Sequence, residues 1–171
     1  MNLVWRVADD PAVVHRIIEA SDRRASQRSG KEPPKRRIES TRALVAAGLV
    51  HVGHLNARPS VTVTVGETAP FDVAESGLPA AEHPRYMQRL AVDPDADGAL
   101  LLGFHAGRHA VAVATAAGAD ALRAETNPDY NDVVRMLAAL GFEPYRTDDS
   151  GPQRRIYLQR PIPLPGPGAP S

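Results

Sequence analysis

The sequence predicts an α/β chain built on a mixed, mainly antiparallel sheet with flanking helices. Three observations carry that expectation. Segments with strand patterning and segments with helical periodicity follow in the order β-α-α-β-β, a long connection, then β-α-β-α-β-β. The strands at 86–94 and 119–126 are bridged by one long apolar helix, which makes them parallel with a right-handed crossover. Two further strand pairs, around Asn56-Ala57-Arg58-Pro59 and around Asp148-Asp149-Ser150-Gly151-Pro152, are joined by short turns, which makes each pair antiparallel.

Leu3-Val4-Trp5-Arg6-Val7 is a short β-branched and aromatic run and reads as the first strand. Asp9 or Asp10 before Pro11 is an N-cap with proline in the first turn, and Val13, Val14, Ile17 and Ile18 recur at helical spacing. Ser21 to Lys35 is polar and basic and contains Pro33-Pro34, so it reads as a frayed helix end or a loop. A second helix follows from about Arg36 to Ala47, with Leu44 and Val45 inward and Gly48 as its stop. Leu49–Leu55 and Ser60–Val65 form two strands around the turn Asn56-Ala57-Arg58-Pro59. Gly66 to Pro84 is a long connection without periodicity, a length that is often functional, and it is expected to fold over a substrate. Tyr86–Pro94 is a strand that runs into a loop and then a long apolar helix; a strand from Ala119 to Thr126 and a helix from Asn127 to Phe142 follow. Glu143–Thr147 and Arg155–Gln159 flank the turn Asp148-Asp149-Ser150-Gly151-Pro152. The Pro-rich end, residues 161–171, is expected to be extended and disordered, which leaves one domain over 1–160.

Composition bounds the function. A chain of 171 residues buries a core of one domain. Lys and Arg number 20, as do Asp and Glu, so no net charge draws the chain to nucleic acid or an anionic membrane. The absence of cysteine excludes disulfides, thiolate metal sites and cysteine nucleophiles. The start lacks a basic region followed by an apolar run, and HAVAVATAAG is too short to span a bilayer, so a cytoplasmic protein is expected.

Three pieces in order resemble the GNAT superfamily of N-acetyltransferases. Tyr86-Met87-Gln88-Arg89-Leu90-Ala91-Val92-Asp93-Pro94 is similar to the family's fourth strand, His109 to Gly118 to the back half of its cofactor helix, and Thr126-Asn127-Pro128-Asp129 through Leu140-Gly141-Phe142 to its last strand-to-helix segment. The resemblance implies a fourth strand splayed from the fifth, with a cleft for acetyl-CoA. It implies that backbone groups of Leu90, Ala91 and Val92 pair with the pantetheine. It also implies that the following loop and helix start, through Gly98, Ala99, Gly103 and Phe104, hold the pyrophosphate, and that Asn127 touches the cofactor or braces the strands. A homodimer is common in that fold.

Within the resemblance, this chain departs at two places. The loop Asp95 to Gly103 carries two aspartates, and no arginine or lysine occurs between Arg89 and Arg108. A carboxylate beside a pyrophosphate opposes binding. The tyrosine that family members use as general acid aligns at Leu137, which has no proton to give; Tyr130, nearly two turns earlier, is the candidate substitute.

Glu67 closes the third strand and is a candidate base acting through water, or a solvated strand end. Tyr86 and Gln88 alternate with Met87 and Arg89, so one pair faces an acceptor amine; Tyr86 and Gln88 are the candidates. His105 and His109 share a helix face but read as a solvated polar stripe, and no metal site is expected. The cluster Arg23, Arg24, Arg28, Lys31, Lys35, Arg36 and Arg37 reads as a solvated helix end, or as a patch for an acidic partner or the CoA phosphates. The expected function is transfer of an acetyl group from acetyl-CoA or another acyl-CoA to a small-molecule amine. The alternative is a GNAT-fold protein that binds a small molecule or a protein, or does other chemistry, without acetyl transfer.

Overall fold

The computed structural model describes residues 2–163. Four helices and seven strands follow in the expected order: β1 Leu3–Val7, α1 Pro11–Ser29, α2 Ile38–Ala46, β2 Val50–Leu55, β3 Arg58–Gly66, β4 Pro84–Val92, α3 Ala99–Ala116, β5 Ala121–Thr126, α4 Asn131–Ala139, β6 Glu143–Asp148 and β7 Arg155–Pro161. The strands form one sheet in the order β1-β2-β3-β4-β5-β7-β6. The β4–β5 ladder is parallel, as the long bridging helix requires, and the β1–β2, β2–β3, β5–β7 and β6–β7 ladders are antiparallel. The sheet order places β7 between β5 and β6.

The chain divides into two compact units. One comprises Met1–Val65 with Arg89–Arg108, the other Gly66–Gln88 with His109–Ser171.

In the first unit, Val14, Ile17 and Ile18 of α1 and Val45 of α2 cluster with Val50 and Val52 of β2 and Ala91 of β4. Asp10 caps α1, its carboxylate accepting from the N–H groups of Ala12 (2.8 Å) and Val13 (3.2 Å), with Pro11 supplying a preset φ in the first turn. α1 runs on to Ser29 through the stretch expected to fray. It ends where Gly30 adopts φ +69° and donates back to the Ser26 carbonyl at 2.8 Å. Asp22 on this extension takes a bidentate pair from Arg36, at 2.7 and 3.2 Å, which fastens the polar half of the helix. The β2–β3 hairpin closes over two residues and not the four expected, because Asn56 and Ala57 both take positive φ, 51° and 65°.

In the second unit, Leu122 and Ala124 of β5, Leu137 of α4, Leu140, Phe142 and Leu158 of β7 are buried. Leu137 is 2 % exposed, so the position that could have carried a proton donor is a core position. The connection 67–83 carries no helix or strand. Its Phe71 packs on Tyr86 of β4 (5.8 Å between ring centroids, near-perpendicular) and on Tyr157 of β7 (5.0 Å). At its end, Asp120 accepts from the N–H groups of Glu82 (2.6 Å) and His83 (3.0 Å). β7 extends through Pro161, opposite Ala121, and Ile162 then donates to the Asp120 carbonyl at 2.8 Å. The strand thus includes a proline expected to lie in the tail. Pro161 is tolerated because it closes the strand, two residues past the end of the β6 ladder at Gln159. The rest of the expected tail, 164–171, lies outside the described residues.

Candidate functional site

The first unit contributes the end of β4, the loop 93–98 and the start of α3. Arg89 interrupts β4 with φ +52°, a conformation a non-glycine strand residue rarely holds. Its guanidinium turns to α2, donating to Thr41 Oγ1 at 3.3 Å and to Ser40 Oγ. Thr41 is 1 % exposed and also meets His15 Nδ1 at 3.1 Å, while His15 Nε2 faces Glu19 of the same helix at 3.4 Å. Burial pushes the Arg89 pKa below the usual guanidinium value; nearby Arg36 acts in the same direction and Asp22 opposes it. Beyond Arg89, Leu90 and Val92 are half-buried and Ala91 is buried with its methyl group in the α1–α2 core. Any ligand contact of Ala91 is therefore a backbone contact.

Asp93 organises the loop. Its N–H donates to the Ser60 carbonyl (2.8 Å), its Oδ1 accepts from Asp95 N–H (3.0 Å) and its Oδ2 faces Arg58 (3.1 Å). Asp95 and Asp97 are exposed and turn no carboxylate inward. Gly98 takes φ +71° and its carbonyl accepts from Leu102 N–H at 3.0 Å, so it starts α3. This corrects the expected extent of the loop. Gly103 and Phe104 lie inside the helix, where their N–H groups belong to the helical ladder, and only Ala99, Leu100 and Leu101 offer N–H groups at the helix start. Leu100 and Leu101 are themselves 72 % and 48 % exposed.

The second unit holds the remaining candidates. The β4–β5 ladder spans three residues, Pro84–Tyr86 against Ala121–Arg123. Tyr86 is 5 % exposed, and its hydroxyl accepts from Arg123 Nη1 at 3.0 Å. Gln88, half-buried, is the more accessible member of the expected pair. Arg123 is the residue that the sequence did not disclose. It is 4 % exposed and donates to Gln159 Oε1 (2.8 Å), the Tyr86 hydroxyl and the Pro79 carbonyl (2.6 Å), all neutral acceptors. Its place in the run Ala121–Thr126 gives no hint of this, because alternation names a face without saying what covers it. Glu67 follows β3 as expected; it is 76 % exposed and ion-paired with Arg85. The two line an open polar depression of about 470 Å³ with Glu82, His83, Pro84, Ala117 and Gly118. Asn127 Oδ1 accepts from Asp129 N–H at 2.9 Å, which forms the turn into α4. Tyr130 stands at the N-cap of α4, outside the helix, and its carbonyl accepts from Val133 and Val134. Glu125 has one carboxylate oxygen, Oε2, buried without a hydrogen-bond partner. Among the described residues no group of three or more His, Asp and Glu is placed to hold a metal ion, and no helix is long and apolar enough to cross a membrane.

No family model matches the chain, and no curated protein matches it. Solved structures do. An acetyltransferase of the GNAT family from Streptococcus agalactiae superposes with a TM-score of 0.73 at 15 % identity, over 94 % of this chain and 96 % of that one. The chain has the GNAT acetyltransferase fold. Salmonella typhimurium yncA, solved with its cofactor acetyl-CoA, covers 100 % of this chain and 99 % of its own at 17 % identity and a TM-score of 0.67. The NatC complex bound to Gag peptide and CoA matches over 95 % of this chain and 100 % of that one, at 13 % identity and a TM-score of 0.71.

Proposed function

We propose that the chain is an acyl-CoA-dependent N-acetyltransferase acting on a small-molecule amine. The observation that carries this reading is the near-complete coverage, on both sides, by GNAT-fold proteins solved with acetyl-CoA or CoA. The amine nitrogen attacks the thioester carbonyl carbon, a C–N bond forms, the C–S bond breaks and its electron pair leaves on sulfur; one proton leaves the nitrogen. Acetyl-CoA, when bound, supplies the activated acyl group. The chain's own residues supply position and electrostatics.

Backbone groups of Leu90–Val92 hold the pantetheine arm. Gln88 orients the acceptor, while the buried Tyr86 sets the place of Arg123 behind it. Glu67, exposed and paired with Arg85, accepts the amine proton through water, and Tyr130 is the hydroxyl proposed to protonate sulfur. At the pyrophosphate end the fit is poorer. Gly98 lets the chain turn tightly and Ala99–Leu101 present N–H groups, yet the flanking charges are Asp95 and Asp97. Asn127 braces the β5–α4 turn through its own hydrogen bond. We place the protein in the cytoplasm and propose a homodimer, by analogy with the fold.

Calorimetry with acetyl-CoA tests the reading first, followed by thiol release with a panel of primary amines. Binding in the micromolar range with amine-dependent release is expected. No heat at high micromolar acetyl-CoA overturns the transferase reading and leaves the fold serving a different ligand.

A further inference from the structure

We infer that the acceptor amine carries a carboxylate, and that Arg89 is the residue that recognises it. The inference rests on the acetyl-transfer reading above and narrows its substrate class.

The first observation is the backbone. A non-glycine residue at φ +52° inside a strand costs on the order of 1–3 kcal/mol unless its surroundings hold it there. Glycine would adopt that conformation freely. What arginine adds is the guanidinium.

The second observation is how that guanidinium is held. Its recorded partners are two hydroxyls, Ser40 and Thr41, on α2. Among the described residues no carboxylate pairs with it. Asp22, the acid that acts on it through space, is bonded twice to Arg36. Ser40 and Thr41 each take one N–H, so the Nε–H and one N–H on each terminal nitrogen remain for a ligand. The hydroxyls fix the side chain without neutralising it, and Thr41 is itself fixed by His15, which Glu19 faces. A half-buried cation beside a second guanidinium, Arg36, is relieved by a bound anion.

The third observation is position. Arg89 adjoins Leu90–Val92, the segment proposed to hold the thioester arm, and both belong to the first unit. A planar donor fork on the residue that precedes this segment suits a planar, bidentate acceptor, so the chemistry favours a small amine with a carboxylate, amino acids first, over a simple alkylamine.

The test uses the full chain with acetyl-CoA and matched acceptor pairs: the standard L-amino acids and their α-carboxamides, which keep the amine and lose the charge. Expected is a preference for one or more acids over their amides of about ten- to a hundredfold in kcat/KM, the scale of a charge-assisted hydrogen bond. Arg89→Gly, whose backbone accepts the native φ, should keep the fold and the acetyl-CoA affinity but raise KM for the acid and erase the preference. Arg89→Lys should recover only part of it, since it restores charge without the fork. Equal turnover of acids and amides, better turnover of peptide N-termini, or a preference that survives in Arg89→Gly overturns the inference while leaving acetyl transfer standing. Direct calorimetry of the amino acid against the protein separates the two readings. Arg89-dependent binding without turnover upholds the carboxylate site and sinks the transfer reaction; no Arg89-dependent binding or preference sinks the site.

Discussion

Glu125 shows how much a single side chain can weigh on the stability of this chain. Its Oε2 is buried without a partner, and the nearest cation, Arg155, stands at 3.9 Å. Burial raises the Glu125 pKa and Arg155 only partly offsets it. In the folded state the carboxyl therefore holds its proton at pH values where the unfolded chain has released it. The stability this group contributes is complete below the ordinary glutamate range and is lost as pH rises through the raised value. Glu125→Gln should accordingly stabilise the protein at pH 7 by about 1 kcal/mol, the scale of one unsatisfied buried acceptor, and have little effect near pH 4. Chemical denaturation of both proteins at the two pH values checks this; a variant less stable at pH 7 would show that the Arg155 pair outweighs burial. Nothing in the run of residues around Glu125 announces such an environment. Alternation along Ala121–Thr126 puts Arg123 and Glu125 on one face, but the contacts of Pro79 with Arg123 and of Phe71 with Tyr157, the residue opposite Glu125, come from far away in sequence. The same holds for Tyr86, a candidate for acceptor contact that Phe71 and Arg123 hold in the core.

At the scale of elements, local signals were legible wherever they decide structure locally. Asp10-Pro11 starts α1, and the periodic valines and isoleucines bury one face of it. They failed where a distant partner decides. α1 outlasts its apolar stripe because Arg36 clamps Asp22, and α3 begins at Ala99 because Gly98 alone suffices to start it. The connection 67–83, expected to cover a substrate, packs on the second unit's own strands, with Phe71 on two tyrosines and Pro79 on Arg123. Arg123 is thus a clamp joining the connection to β4 and β7, and its side chain gives up three hydrogen bonds if truncated. Arg123→Met should destabilise the protein by about 1–3 kcal/mol, less than three separate bonds would suggest, because removing a buried charge also removes its desolvation cost. The specific signature is local: proteolysis within 67–83 should accelerate more than cleavage elsewhere. Unchanged cleavage there would mean that Phe71 packing holds the connection unaided.

At the scale of the whole molecule, the chain is neutral, so its electrostatics are matters of placement. The order of elements and the β4–β5 parallel pair were legible because period and connection length dictate them; the position of β7 between β5 and β6 was not, because strand order past a helix is set by pairing. The order of elements proposes a place for the site, the turn from β4 into α3, and does not disclose its chemistry. Asp95 and Asp97 stand exposed before α3, a helix whose first N–H groups favour a negative charge, and no arginine or lysine occurs from residue 90 to 107. The two carboxylates occupy that favourable potential themselves. If the pyrophosphate of acetyl-CoA approaches the same helix start, each carboxylate opposes it, and replacing both reverses the sign. Asp95→Arg with Asp97→Arg should tighten acetyl-CoA about tenfold at low salt, taking 0.3–1 kcal/mol for each charge at a helix end on removal and a similar amount on addition. The gain should shrink between 20 and 500 mM salt, as roughly expected of exposed charges when the screening length falls from about 20 to 4 Å. Acetyl-pantetheine, which lacks the pyrophosphate, should gain nothing. Calorimetry of the two ligands against wild type and double variant gives the comparison. Equal tightening of both would mean that the substitutions act on the fold of the loop, and weaker binding of acetyl-CoA would place its phosphates elsewhere on the chain.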